Sequence, residues 1–216
     1  MARRLLSERI LMQLERPTDA TCVLIAIKAR AGCKQRLAPI LTPQARMQLA
    51  RSMLAQVIAA GRAARAVQQV IVVSPERDDV PSDIPVFADA GDNLNSALQD
   101  ARRMLLRLGC RQTVILPADL PQICASDIDT LIRQGRTGCC ALVSDAAGRG
   151  TNALYLDTAE EFTFCFGLES RQRHLQEAAR RRLTPQLVRL PGLEFDVDCP
   201  ADLQRLEAAP WLAIRA

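Results

Sequence analysis

The chain has 216 residues, and at about 150 residues per domain this length favours one domain over two. Apolar residues make up 49% and charged residues 24%, which is average for globular proteins and argues against long disorder. The net charge of +4 is mild, and aromatic residues are only 3% of the chain. Neither a strongly basic face nor base-stacking platforms are therefore expected, which argues against a nucleic-acid partner.

Residues 1–20 predict a helical extension ahead of the main domain. Leucine and isoleucine recur there at helical spacing up to Pro17, and charged residues interrupt every apolar run. The extension thus lacks the apolar region of a secretory signal, and no segment reaches the ~20 apolar residues that span a bilayer. Two interpretations stay open: a leucine-rich face used for packing or for homodimerisation, and a loosely attached tail.

Eight cysteines are scattered along the chain without a C-x-x-C pair or a histidine cluster. Several lie inside apolar runs, where cysteine behaves as a small hydrophobic residue. This usage favours reduced thiols and a cytoplasmic protein.

Strand-like and helix-like patterns alternate from residue 21 to residue 216, which predicts a single α/β domain. Short apolar runs predict strands at 22–27, 70–73, 86–87, 113–116, 139–144, 152–156, 186–190 and 194–197. Amphipathic periods predict helices at 43–61, 95–108, 126–134, 170–182 and from residue 200. The alternation implies a mainly parallel sheet with helices on both faces, and ligands bind such sheets outside the carboxyl ends of the strands.

The loop after the first predicted strand carries four cations around Gly32. These are Lys28, Arg30, Lys34 and Arg36. Such a loop could wrap a polyphosphate and neutralise its charge, although a solvated basic loop has the same composition. It is not a Walker loop, because the G-x-x-x-x-G-K-[ST] pattern is absent.

Three aspartates predict a divalent-metal site. Asp119 directly follows the strand at 113–116, a position from which a carboxylate can bind Mg²⁺. Asp196 and Asp198 alternate along a predicted strand and would face the same side. The competing interpretations are a turn or capping role for Asp119 and a capping role for Asp198 before the helix that begins at Pro200.

A glycine-rich segment and a helix start predict an anion site. Gly150 and Thr151 precede one predicted strand, and Gly167 precedes Ser170, which is expected to be the N-cap of a basic helix. The free N–H groups and the dipole of a helix N-terminus favour an anion.

Together and in this order, these motifs resemble the guanylyltransferases of coenzyme F-420 biosynthesis over residues 22–206. The motifs that carry the resemblance are Lys28 with Lys34-x-Arg36-Leu37, Leu94-Asn95-x-Ala97-Leu98, Pro117-Ala118-Asp119-Leu120-Pro121, Gly150-Thr151-Asn152-Ala153-Leu154, Phe166-Gly167-x-x-Ser170 with His174, and Asp196-Val197-Asp198-x-Pro200-x-Asp202-Leu203. The resemblance implies a GT-A-like, Rossmann-like nucleotidyltransferase fold for the single domain at 21–216.

The resemblance also implies a role for each site residue. Asp119 and Asp198 would hold Mg²⁺, and Thr151, Gly167 and Ser170 would bind the phospho-acid substrate. The residues that would bind GTP are Lys28, Lys34, Arg36, Ser74, Asn95 and Ala97. The catalytic residues would be Lys28, Lys34, Arg36 and Asp119.

Two departures from the family pattern affect the expected substrate. Asn93 stands where relatives usually have glycine, beside the guanine-site motif. Leu168 and Glu169 stand where relatives often have Pro-Gly, beside the acid-substrate motif. The added carboxylate of Glu169 would repel or re-aim an anionic substrate, which favours 3-phosphoglycerate over 2-phospho-L-lactate and phosphoenolpyruvate.

The implied reaction is attack by the phosphate of a three-carbon phospho-acid on the α-phosphorus of GTP, with release of pyrophosphate. A phosphate nucleophile is already ionised, so no general base is needed. The only histidine, His174, either lines the site or lies on the surface of the basic helix. The alternatives are another nucleotidyltransferase, such as a molybdenum-cofactor type guanylyltransferase, a GT-A glycosyltransferase, and a non-catalytic nucleotide-binding protein.

Overall fold

A computed structural model describes residues 21–27, 34–88, 93–159 and 161–207 of the chain. The predicted extension at 1–20 and Lys28 lie outside the described residues.

A single sheet contains the seven strands of the described residues. They are β1 (Thr21–Ala26), β2 (Val67–Ser74), β3 (Val86–Ala88), β4 (Gln112–Pro117), β5 (Cys140–Ser144), β6 (Thr151–Asp157) and β7 (Gln186–Leu187). Their spatial order is β3-β2-β1-β4-β6-β5-β7. Strand β6 runs antiparallel to both of its neighbours, while the other pairs are parallel. The predicted mainly parallel sheet is thus confirmed.

The helices alternate with the strands along the chain. They are α1 (Pro43–Ala63), α2 (Leu94–Arg107), α3 (Ala125–Gly135), α4 (Ser170–Arg180), α5 (Pro191–Glu194) and α6 (Pro200–Glu207), with a short 3-10 helix at Gln35–Leu37. Helix α1 begins where the sequence predicts, because the hydroxyl of Thr42 accepts the N–H of Ala45 and Pro43 occupies the first turn. Asn93 caps α2 by accepting the N–H of Ser96 at 3.0 Å.

Alternate residues of the central strands are buried on opposite faces of the sheet. In β1, Val23 and Ile25 pack with α1 and α3, whereas Cys22 and Leu24 pack with α2 and α4. Helices therefore cover both faces, as the sequence predicts. No disulfide joins any of the seven described cysteines to another.

A third, smaller cluster lies beside the carboxyl ends of the strands. It joins Leu37 of the 3-10 helix to Met53, Phe195, Val197 and residues of α6. This cluster anchors two segments that carry charged residues, Lys34 on one side and the 196–198 segment on the other.

The sequence prediction of strands at 186–190 and 194–197 is wrong in part. Strand β7 has two residues, and residues 194–197 form no strand. Pro191 occupies the first turn of α5, and the N–H groups of Leu193 and Glu194 bond to the carbonyl of Leu190, so the chain forms a helical turn there.

Among the residues that the structure describes, no helix combines the length and apolar character needed to cross a membrane.

Candidate active site

A cavity of about 840 Å³ opens at the carboxyl ends of β1, β2 and β4. This is where ligands are expected in an open sheet of this kind, and the volume suits a nucleotide-sized ligand. Its polar lining includes Lys34, Asp119, Thr151, Ser170 and Asp198. The described residues of the basic loop, the aspartate motifs and the anion-site motif therefore share one cavity.

Three carboxylates converge on this cavity. Asp119 follows β4, while Asp196 and Asp198 alternate with Phe195 and Val197, which are buried in the third core cluster. One carboxylate oxygen from each aspartate lies within 4.8 Å of the others. The expectation that Asp196 and Asp198 face the same side is met without a strand, because burial of their apolar neighbours enforces the alternation.

The pKa of Asp196 shows how closely these charges approach one another. Burial foremost, together with repulsion from Asp119 and Asp198, raises the pKa of Asp196 to about 6. The side-chain amide of Asn152 opposes this shift by donating to Asp196 at 3.2 Å. A partly exposed set of oxygen ligands with excess negative charge fits a hard divalent cation.

Lys34 bridges two of the carboxylates. Its ammonium nitrogen lies 2.7 Å from Asp119 and 2.8 Å from Asp198, and its side chain is only 10% exposed. Burial alone would lower the pKa of Lys34, but attraction to Asp119 and Asp198 outweighs it and raises that pKa above its ordinary value. Lys34 has a left-handed backbone with φ of 50°, directly before the 3-10 helix that the fully buried Leu37 anchors.

Thr151 and Ser170 come together on another part of the cavity lining. Thr151 begins β6 and Ser170 is the first residue of α4, and the Thr151 N–H donates to the Ser170 hydroxyl at 2.9 Å. Ser170 is not the N-cap that the sequence predicts: Glu169, with φ of 53°, takes that position. Gly167, with φ of 118°, makes the turn and accepts the Ser170 N–H through its carbonyl.

His174 is buried and only 1% exposed, so the surface interpretation is wrong. Its Nδ1 lies 2.9 Å from the Thr151 hydroxyl, and its Nε2 accepts the N–H of Cys165 at 2.9 Å. Burial foremost, followed by the charge of Arg173, lowers the pKa of His174 to about 4. His174 is not part of the described cavity lining, but it contacts Thr151, which is.

The residues that sequence motifs assign to GTP are placed in different ways. Arg36 and Ser74 line the cavity. Asn95 also lines it, but both ends of its amide bind the backbone of Phe166, at 2.8 and 3.1 Å. Ala97 is buried in the core between α2 and the sheet and is absent from the described lining.

Asn152 is a site residue for which the sequence motifs predicted no role. Its amide holds the carboxylate of Asp196 and also donates to the carbonyl of Glu194 at 3.3 Å. The only sequence signal was its place next to Thr151 in the glycine-rich motif. Its partners are more than forty residues away in the chain, so periodicity could not identify them.

Comparisons with known proteins show the family to which the chain belongs. A family model described as "Guanylyl transferase CofC like" matches residues 21–207. The phosphoenolpyruvate guanylyltransferase of Rubrobacter xylanophilus is 38% identical over 198 residues, covering 89% of this chain and 96% of the relative.

Solved structures share the fold at low identity. A 4-diphosphocytidyl-2C-methyl-D-erythritol synthase has a TM-score of 0.60 at 12% identity, covering 88% of this chain and 98% of its own. Rv0371c from Mycobacterium tuberculosis H37Rv, in complex with manganese, has a TM-score of 0.58 at 16% identity, covering 89% of this chain and all of its own. The fold is therefore that of the GT-A-like nucleotidyltransferases, and the match of the family model from β1 to α6 shows that the chain belongs to the CofC-like guanylyltransferases.

Proposed function

We propose that the protein transfers GMP from GTP to the phosphate of a three-carbon phospho-acid, with release of pyrophosphate, in coenzyme F-420 biosynthesis. The observation that carries this proposal is the cavity in which a carboxylate cluster with a lysine and a pair of hydroxyl groups lie together. The first group suits a metal–triphosphate, and the second suits an anionic acceptor.

Asp119 and Asp198 would hold Mg²⁺, with Asp196 as a third ligand. The convergence of their oxygens within 4.8 Å and the raised pKa of Asp196 support this assignment. When bound, the cation would neutralise charge on the phosphates of GTP. Asn152 keeps the carboxylate of Asp196 oriented through its hydrogen bond.

The cations of the basic loop would bind the triphosphate. We assign this role to Lys34, Arg36 and Lys28, and we assign Lys34 and Arg36 to the neutralisation of charge on the leaving pyrophosphate. Ser74 lines the cavity at the end of β2, where it would contact the nucleoside. Asn95 and Ala97 would act on the nucleotide site by shaping it, because Asn95 is bound to Phe166 and Ala97 is buried.

Thr151, Gly167 and Ser170 would bind the acceptor. We propose phosphoenolpyruvate as the preferred acceptor, because the Rubrobacter xylanophilus relative, at 38% identity, is a phosphoenolpyruvate guanylyltransferase. The preference for 3-phosphoglycerate expected from Glu169 has less support, since Leu168 and Glu169 are exposed and lie outside the described lining of the cavity.

The chemistry requires positioning more than proton transfer. A phosphate oxygen of the acceptor attacks the α-phosphorus of GTP, the bond from that phosphorus to the bridging oxygen of the β-phosphate breaks, and pyrophosphate leaves with the electron pair. The acceptor phosphate is already ionised near neutral pH, because its second pKa is near 6. The side chains therefore need only to align the two anions and screen their repulsion.

The proposal is tested by measuring pyrophosphate release from each of the four NTPs with phosphoenolpyruvate, 2-phospho-L-lactate and 3-phosphoglycerate, in the presence of Mg²⁺. We expect turnover with GTP and the highest kcat/KM with phosphoenolpyruvate. Asp119→Asn should lower kcat at least a hundredfold, whereas Asp83→Asn, which changes an exposed carboxylate outside the cavity lining, should not. GTP binding without turnover on any acceptor would contradict the proposal.

A further inference from the structure

Side chains rather than a neighbouring strand hold the backbone of residues 162–167, here called the clasped segment. The N–H of Thr163 donates to Glu177 at 3.1 Å, and the N–H of Cys165 donates to His174 at 2.9 Å. The N–H and the carbonyl of Phe166 both pair with Asn95. The clasped segment ends at Gly167, so these contacts fix the part of the cavity wall that precedes α4.

The contact with Cys165 determines which ring nitrogen of His174 carries the proton. A backbone N–H can only donate, so Nε2 must be the unprotonated acceptor. A neutral imidazole then has its proton on Nδ1, and Nδ1–H donates to the Thr151 hydroxyl oxygen at 2.9 Å. The contact of Phe166 with the His174 ring, at 4.6 Å between centroids and edge-on, helps to exclude water from it.

This donation decides what the Thr151 hydroxyl can do. One lone pair of its oxygen accepts from His174, so its own proton is free to point elsewhere. The Ser170 hydroxyl also accepts a hydrogen bond, from the N–H of Thr151, so its own proton is likewise available to donate. Both residues line the cavity, and each retains an O–H donor.

We propose that His174 is a positioning residue whose fixed Nδ1–H tautomer turns the Thr151 hydroxyl into a hydrogen-bond donor for an anionic oxygen of the acceptor. This inference rests on the proposed function for the identity of the acceptor. His174 itself moves no proton in the reaction. It acts through Thr151, and it couples that hydroxyl to the position of the clasped segment.

The tautomer is measured directly in the resting protein. His174 is the only histidine of the chain, so imidazole ¹⁵N–¹H correlation spectra contain one ring system. We expect a protonated Nδ1 and an unprotonated Nε2 throughout the range from pH 5.5 to 8. A protonated Nε2, or a ring that becomes cationic near pH 6.5, would overturn the proposal whether or not the protein turns over GTP.

A double-mutant cycle tests the function of the contact. His174→Gln places an amide oxygen where Nε2 accepts from Cys165 and removes the donor to Thr151, while Thr151→Val removes the hydroxyl. We expect each to lower kcat/KM for the acceptor about tenfold or more and to leave the KM for GTP within twofold. The double variant should be no worse than Thr151→Val, because His174 acts through that hydroxyl. If the losses in kcat/KM for the acceptor multiply in the double variant, His174 has only a structural role. The same conclusion follows if the variants impair the use of GTP as much as the use of the acceptor.

Thr151→Ser keeps the test decisive if His174→Gln does not fold. Serine retains the hydroxyl that accepts from Nδ1–H, so activity should stay within a few-fold of wild type and well above Thr151→Val. Equal losses in the serine and valine variants would contradict a donor role for the hydroxyl. Turnover by the unmodified protein separately decides the proposed function, so the two failures are distinguishable.

Discussion

At the scale of single residues, the ammonium of Lys34 offsets part of the negative charge of the aspartates in the cavity. Three aspartates meet there, and the ammonium of Lys34 contacts two of them in a half-buried setting where screening by water is weak. Removing one member of such a group leaves the others unpaired, which costs more than the group contributes as a whole. A cation is therefore part of the architecture of this site as well as of its proposed chemistry.

Lys34→Met should leave the carboxylates of Asp119 and Asp198 without their cationic partner. We expect kcat/KM for GTP to fall at least a hundredfold and the metal-free protein to lose about 1–3 kcal/mol of unfolding free energy. Added Mg²⁺ should raise the Tm of the variant more than that of wild type, because lysine no longer competes for Asp119 and Asp198. Activity assays and thermal melts with and without Mg²⁺ check this. Arg62→Met, which removes an exposed cation paired with Asp83, is the control and should change neither quantity appreciably.

At the scale of elements, short segments between strands and helices do most of the positioning. The 196–198 segment aims its carboxylates by burying Phe195 and Val197, and the clasped segment is held by side chains of α2 and α4. Neither segment has strand hydrogen bonds to set its register. Both depend on the close packing of helices against the sheet.

One such packing contact is the approach of α3 to β6. Gly135, at the end of α3, lies under the ring of the buried Tyr155, and a Cβ there would come within 2.1 Å of a ring carbon. The glycine is needed for space, since no positive φ is involved.

Gly135→Ala should therefore destabilise the fold. The clash should cost about 1–3 kcal/mol, partly offset by about 1 kcal/mol of better helix propensity. Denaturant unfolding measures the difference. In a Tyr155→Leu background the ring is gone, and the same glycine-to-alanine change should become neutral or stabilising. A destabilisation of equal size in both backgrounds would show that the Tyr155 ring is not the cause.

At the scale of the whole molecule, the buried His174 and the half-buried Asp196 make opposite contributions to stability at acid pH. The folded-state pKa of His174 is lowered to about 4, so its stabilisation is present above its ordinary pKa and is lost as the pH falls toward 4. The folded-state pKa of Asp196 is raised to about 6, so its contribution changes the other way: stability is gained as the pH falls through 6. In the metal-free protein the two effects partly cancel.

Asp196→Asn should expose the contribution of His174. Between pH 7 and pH 5 we expect this variant to lose about 1–2 kcal/mol more unfolding free energy than wild type, measured by denaturant unfolding in the presence of a chelator. His174→Gln should shift the pH dependence in the opposite direction. If the unfolding free energies of wild type and both variants depend on pH in the same way, then His174 and Asp196 do not make opposite contributions.

The sequence by itself determined the class of fold, the main helices and the central strands, because burial on two faces and helical periodicity are local patterns. It also predicted that Asp119, Asp198 and Lys34 belong to one site, and these residues line one cavity together with Asp196. It could not show that residues 194–197 lack strand structure. Apolar and polar residues alternate in the same way whether or not a neighbouring strand is there to pair with the segment.

Only the tertiary structure decided which of these groups touch. Lys34 meets Asp119 across 85 residues and Asp198 across 164 residues of chain, and Asn95 meets Phe166 across 71. His174 has the spacing of a surface helix residue, yet β6 and the clasped segment cover it. Hydrogen bonds and pKa shifts depend on such distant partners and on exclusion of water, and neither is encoded in the period of a single helix or strand.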